Sequence, residues 1–494
     1  MIKTIQANTL QSSNSERPRA LISSVALPPA ILALGIASAC LYFWGRDLHR
    51  FTQWVAAYLF LFIGQLALYS LACVIVLRWT AAATRIAKWA TLAAIIFFAI
   101  AFRAILVPQR PYLSADVYRY VWDGHVQTSG INPYRYAPGD SELTALRDEV
   151  IYPNISDEDQ RWLSPYPPAA QMVFALVSLV RPMSVTAVKA AMSSFDLIAV
   201  LLVMLVLARS GTDPARAIIF AWHPLVIFES AHSGHVEAVF IAFLMLALFA
   251  WSRRKHALTG FALAIATLTK FYPVILLPAF LIAAEGDAIA GSSRPRPKLR
   301  IFAALFHKRN MTMLAAFAVT LALAYAPYLG AGGNLFGFLR AYVQEEGFIQ
   351  TGARYFLLDA LRQVVPIPTM VFLVFGAACL ITVAARQMIK MKRDPLDVSR
   401  AAMVLIGTYL LLTTPRYAWY YMWLVPFLCF APRLGWMYLA CASALLYLVW
   451  YTPLVYPDVP LWLGAAIFIP VLAMLVWQSR YADHPERCSQ AASP

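Results

Sequence analysis

The sequence predicts an all-α polytopic membrane protein, and three observations carry that expectation. The 494-residue chain is 61% hydrophobic and only 13% charged, about half the charge content of a soluble average. Apolar runs long enough to cross a hydrocarbon layer, about 20 residues each, recur from one end to the other. The basic residues gather in short connections between those runs and form no continuous face.

The clearest runs cover Leu21 to Trp44, Trp54 to Leu77, Trp89 to Val107, Val188 to Ala208, Met311 to Leu329, Met370 to Ala385, Gly435 to Tyr451 and Leu461 to Trp477. With the shorter apolar pieces between them, about 12 to 14 transmembrane helices are expected. They make one transmembrane domain over residues 21–478, flanked by a cytoplasmic N-terminal tail at 1–20 and a cytoplasmic C-terminal tail at 479–494. The first run is too long for a signal-peptide core and has no small-residue cleavage site after it, so it is expected to stay as a helix. The six cysteines (Cys40, Cys73, Cys379, Cys429, Cys441 and Cys488) fall in apolar runs or the tail and spell neither a disulfide framework nor a metal spacing.

The formal net charge of +15 raises a nucleic-acid reading, which its placement removes. Basic clusters stand at Arg78, Arg85 and Lys88, at Arg253, Arg254 and Lys255, from Arg294 to Arg309 and from Arg386 to Arg400. Such loops mark the cytoplasmic side, with anionic lipid beside them. Residues 109–167 then form a first extracytoplasmic loop that holds nine of the 25 acidic residues and is expected to contain short interfacial helices. A second such loop covers 330–366, and a third is the short turn around Pro415 to Tyr421.

Parity of crossings adds two expectations. Four apolar pieces lie between the first outer loop and the inner loop at Arg253, where an odd number is needed. Ala169 to Val180, a dozen residues after Pro165, Pro167 and Pro168, is the one expected not to cross. The segment from Ala257 to Ala284 has basic loops at both ends, so it is read as a broken hairpin with its bend at Thr269-Lys270-Phe271-Tyr272-Pro273. Lys270 at the tip is either a functional cation or a lysine that snorkels to a headgroup.

The densest polar and aromatic stretch runs from Ser114 to His125 and on through Gly130-Ile-Asn132-Pro133-Tyr134-Arg135-Tyr136. In a helix, Asp116, Arg119, Tyr120 and Asp123 share one face. A guanidinium between two carboxylates suits a base or a cation site more than an acid. Tyr118, Tyr120 and Trp122 offer flat rings that can cover sugar faces. The same pattern also fits an interfacial amphipathic helix with an aromatic belt. His232 and His235, at a spacing of three beside Glu229 and Glu237, read either as a metal site or as a polar turn between helices, and no further histidine pattern supports zinc. Asp196, inside an apolar run, is equally a functional group or a helix-pairing one.

Ser-x-Asp-x-Tyr-Arg-Tyr-x-Trp-Asp-Gly, then Gly-Ile-Asn-Pro-Tyr-x-Tyr, then Tyr-Pro-Pro-Ala-Ala-Gln at Tyr166 to Gln171 resembles the first-loop signature of the GT-C superfamily of membrane glycosyltransferases. Within it the chain most resembles polyprenyl-phosphate-sugar-dependent glycosyltransferases of the family 87 mannosyltransferase type. Similar stretches follow in order: Glu229 to Ala238, Leu268 to Pro273, and Pro415 to Pro426. The resemblance implies an inverting hexosyltransferase that moves a hexose, with mannose the expectation, from a polyprenyl-phosphate donor to a cell-envelope lipid or glycan acceptor.

It implies Asp116 as the base that takes the acceptor proton, and Lys270, Arg119 and Arg416 as the cations that hold the donor phosphate. Asp123, Tyr118, Tyr120, Trp122, His232, His235, Glu237, Tyr272, Trp419 and Tyr420 are expected to bind substrate. A divalent cation, Mg or Mn, is left open by the pattern: Asp116 and Asp123 could hold one, without a complete ligand set. The setting it implies is a bacterial inner membrane, with the active site facing the periplasm or cell exterior. The rival class is a secondary transporter or lipid flippase, which also uses broken helices with buried charges. Such a protein should show two related halves, and the sequence shows no internal repeat.

Overall fold

The computed structural model describes residues 25–50, 54–281, 306–336, 355–390, 394–451 and 459–482. Among them there is no strand, and eight helices are long and apolar enough to cross a membrane. We label the principal helices in chain order: α1 (Val25–Leu48), α2 (Trp54–Trp79), α3 (Arg85–Leu106), α4 (Asp116–Thr128), α5 (Pro168–Val180), α6 (Val185–Arg209), α7 (Glu237–Ser252), α8 (His256–Thr267), α9 (Lys308–Tyr325), α10 (Thr369–Lys390), α11 (Pro395–Thr413), α12 (Leu434–Ala442) and α13 (Leu461–Ala482). The expected N-terminal tail at 1–20, residues 483–494 of the C-terminal tail expected at 479–494, and the centre of the expected second loop at 337–354, lie outside the described residues.

Local chemistry sets several helix starts. Ser184 accepts the Ala187 N–H ahead of α6, and Asp394 accepts the Leu396 N–H ahead of α11, where Pro395 opens the helix. Each side chain satisfies a donor that the helix itself leaves unpaired.

Packing runs α6 to α7 to α8 to α9. Gly260 makes the α8–α9 crossing close, since a Cβ there would come within 2.0 Å of the Met313 carbonyl oxygen. Small residues at such crossings let helix backbones approach in a membrane bundle. A buried ion pair ties α3 to α6: Arg103 Nη2 stands 2.6 Å from Asp196 Oδ2. Arg103 also donates to the Ala99 and Ala221 carbonyls at 2.8 and 3.0 Å, and Ser230 donates to Asp196 at 2.8 Å. Asp196 is thus a helix-pairing residue whose partner is Arg103. The same network fixes the π-helical turn Phe228–Ser233, which carries His232 and leads through Gly234 to His235.

The stretch from Ala169 to Val180 is helical, as α5, but its 13 residues rise only about 20 Å, short of the ~30 Å hydrocarbon layer. It packs on α4 instead. Gly124 permits that contact, because a Cβ there would lie 2.4 Å from the Phe174 carbonyl oxygen. The break expected near Pro273 is present: α8 ends at Thr267, and a short 3-10 turn, Tyr272–Leu276, follows with Pro273 in its first turn. Leu268 sits in that break and its carbonyl accepts the Ala169 N–H at 2.9 Å, which anchors the broken segment to the start of α5. The return limb of the expected hairpin beyond Leu281 lies outside the described residues.

Substituting Gly124 with valine should therefore push α5 off α4. Overpacking of this kind costs about 1–3 kcal/mol, so a fall in melting temperature is expected in detergent; an unchanged melt would show that the two helices do not need this approach.

Candidate active site

One cavity of about 520 Å³ opens between the 109–167 loop and the broken segment after α8. Its loop wall is formed by Ser114, Ala115 and Asp116, by Ser156, Glu158, Asp159 and Trp162, and by Pro165, Tyr166 and Pro167. The rest of its lining comprises Lys270 to Tyr272, Val274 and Ile275, with Tyr409, Tyr417, Trp419 and Tyr420. The acidic groups lie in the loop wall, and one lysine stands among aromatic and aliphatic side chains in the rest.

Asp116 begins α4, so its side chain projects past the helix end and is 28% exposed. Ser114 Oγ donates to Asp116 Oδ1 at 3.0 Å, and the Tyr120 hydroxyl donates to Oδ2 at 3.5 Å. His235 Nδ1 stands 3.6 Å from Oδ2, and its Nε2 stands 3.3 Å from Glu229 Oε2. Tyr447 donates to Glu229 Oε1 at 2.6 Å. A buried polar chain thus backs the Asp116 carboxylate at the cavity. Gly234 makes the chain possible: its φ of +75° ends the π turn, and a Cβ would meet Lys189 Cγ at 2.9 Å. That left-handed position is one a glycine takes without strain, and it lets the His235 N–H reach the Glu229 carbonyl at 2.8 Å.

Behind His235 the rings stack. Trp419 lies 4.1 Å from the imidazole at 21°, Tyr417 lies 4.5 Å from Trp419 at 11°, and the Arg416 guanidinium stands 4.7 Å over Tyr417. Lys270 projects from the break, pairs with Glu237, and sits 4.6 Å over the Tyr420 ring. Tyr272 also lines the cavity and packs on Trp423 at 4.8 Å.

Several residues expected at the substrate lie elsewhere. Arg119, expected on the donor phosphate, is buried and does not line the cavity. It donates to Asp123 Oδ1 at 2.8 Å and to the carbonyls of Asp159 and Trp162 at 2.5 and 3.2 Å. Asp123 is turned into the same interior, where its Oδ2 accepts from Ser164 at 2.5 Å and Gln171 at 2.8 Å. With both oxygens occupied, Asp123 does not join Asp116 around a divalent cation. Among the described residues no three His, Cys, Asp or Glu side chains are grouped to hold a metal. Tyr118 and Trp122 are buried against the loop's own core, Trp122 on Tyr152. Tyr120 stacks on Phe174 at 4.6 Å, and His232 packs edge-on to Tyr112 at 4.0 Å. Arg416 is absent from the cavity lining.

The loop wall at Ser156, Glu158, Asp159 and Trp162 was missed by the motif reading. Its signal was the acidic run Asp157-Glu158-Asp159, close before Trp162 and a Pro-rich stretch. Burial pushes the Asp159 carboxyl above its ordinary range; the Arg119 charge opposes this and the Asp116 charge adds to it.

The architecture is that of an all-α polytopic membrane protein, and family comparison puts the chain in the class of membrane glycosyltransferases. Residues 162–415 match the model of Glycosyltransferase family 87. Residues 29–286 match that of the Alpha-(1->6)-mannopyranosyltransferase, N-terminal domain. Each covers more than half of the chain, which belongs to glycosyltransferase family 87 and is mannosyltransferase-like. No curated protein and no solved structure matches it.

Two expectations follow from the loop wall. Arg119→Met leaves Asp123 buried without its cation, a change that costs about 3–5 kcal/mol; the variant should melt lower, and an unaltered melt would contradict the clamp. Asp159, whose folded pKa is raised, contributes stability below its unfolded value near 3.8 and loses it as pH rises through the folded value. Asp159→Asn should therefore raise the melting temperature at pH 7 more than at pH 4; the reverse order would refute the assignment.

Proposed function

We propose that this protein is an inverting mannosyltransferase that takes its sugar from a polyprenyl phosphate and delivers it to a cell-envelope lipid or glycan on the extracytoplasmic face. The observation that carries the reading is that Asp116 and Lys270 line the same cavity. A base and a phosphate-binding cation must face one substrate to serve one displacement.

In this reading the acceptor hydroxyl enters beside the loop wall and gives its proton to Asp116 as its oxygen attacks the anomeric carbon. Ser114, Tyr120 and His235 hold the carboxylate in place. The bond that breaks releases a phosphate already stable as an anion, so no strong general acid is needed, and the Lys270 ammonium stabilises the charge that develops there. Phe271, Val274 and Ile275 give the prenyl chain an apolar surface next to that lysine. The flat Tyr417, Trp419 and Tyr420 rings suit a sugar face. A transporter is disfavoured because Asp116, Glu158, Asp159 and Lys270 converge on one loop-capped cavity and the sequence shows no internal repeat.

Purified protein given radiolabelled polyprenyl-phosphate mannose and envelope lipid should form a labelled product. Asp116→Asn should lower turnover at least about a thousandfold, within the range for losing a catalytic base, while expression and melting stay as in the parent. Near-normal turnover by the Asn variant would remove Asp116 as the base.

A further inference from the structure

Glu237 was expected at the substrate, yet it is fully buried, opens α7, and does not line the cavity. Its Oε1 accepts from Lys270 Nζ, while Oε2 accepts no hydrogen bond. Lys270, by contrast, does line the cavity; its side chain is 13% exposed and its ammonium lies over the Tyr420 ring. The cation expected to meet the donor phosphate is therefore already paired, and its partner cannot follow it into the cavity.

We propose that Glu237 is the counter-ion a donor phosphate must draw Lys270 away from, a positioning residue that sets donor affinity and drives release of the lipid phosphate product. This deepens the polyprenyl-phosphate reading above and rests on it. An ammonium carries three donors on a flexible four-carbon stem. Lys270 can turn from Glu237 toward a phosphate without backbone movement, and the Tyr420 ring face accompanies the charge in either position. Each arrival of phosphate leaves the buried carboxylate with weaker compensation, which opposes binding. The cost is limited because Glu237 sits in the first turn of α7, where helix N–H groups favour negative charge. After transfer the same carboxylate competes for Lys270 again and helps expel the spent lipid phosphate, a step that often limits turnover.

The test compares the parent with Glu237→Gln, Glu237→Asp, Lys270→Met and the Gln/Met double variant. It measures binding of undecaprenyl phosphate to purified protein in detergent, with undecaprenol as the phosphate-free control, and steady-state transfer. Glu237→Gln removes the competitor and should bind the lipid phosphate about tenfold more tightly, about 1.4 kcal/mol. Its donor KM should fall together with kcat, because release slows. Glu237→Asp, with a shorter reach, should fall between the parent and the Gln variant, and it carries the test if the Gln variant does not fold. The double variant should bind as weakly as Lys270→Met alone.

A purely structural role for Glu237 predicts instead a higher KM with a lower kcat. If Lys270→Met weakens binding while neither Glu237 variant tightens it, the counter-ion exchange is overturned and the donor reading stands. If Lys270→Met binds lipid phosphate as the parent does, the donor role of Lys270 falls, and this proposal falls with it.

Discussion

The site depends on one buried guanidinium. Arg119 projects from α4 and gathers the Asp123 carboxylate from its own helix and the Asp159 and Trp162 carbonyls from the loop. Those loop residues are a wall of the cavity. A planar fork of five donors can hold a carboxylate and two carbonyls at once, which an ammonium could not do with the same rigidity. Without the clamp, the acidic wall would have no fixed distance from Lys270. The charge is enclosed, so its stabilising effect depends on every partner being present.

Around that clamp the chain shares its polar residues between support and chemistry. Arg103, Asp196 and Ser230 fix the turn that carries His232 and leads to His235. Gln171, Ser164 and Gln127 join α4 to α5. Asn132 and Tyr134 of the Gly-Ile-Asn-Pro-Tyr motif donate to the Tyr328 and Tyr166 carbonyls. Buried polar groups of this sort are costly in an apolar bundle unless all are satisfied. Few are left to face the cavity, and those that do are the ones with room to exchange partners.

Much of this was legible in the sequence. The apolar runs gave the helical class because helices hydrogen-bond their own backbone in lipid. The shortness of the Ala169 to Val180 run located the helix that packs on α4, and Pro273 located the broken segment that borders the cavity. What periodicity could not say is which way a face points. Asp116, Arg119 and Asp123 do lie within one helix at spacings of three, four and seven, yet only Asp116 reaches the cavity, because it alone stands at the helix end. The rest of α4 is covered by loop and α5, so Arg119, Asp123, Tyr118 and Trp122 serve the loop's interior. The pairing of Glu237 with Lys270 joins residues 33 apart across an irregular break, and no local spacing rule reaches that far.

The most direct measurement is an experimental structure of the protein with a non-transferable polyprenyl-phosphate sugar analogue bound. The account predicts the analogue's phosphate on Lys270, its anomeric carbon facing the Asp116 carboxylate, and its prenyl chain along Phe271, Val274 and Ile275. A phosphate held at a different end of the bundle, such as beside Arg253, Arg254 and Lys255, with the cavity between Asp116 and Lys270 left to solvent, would contradict it.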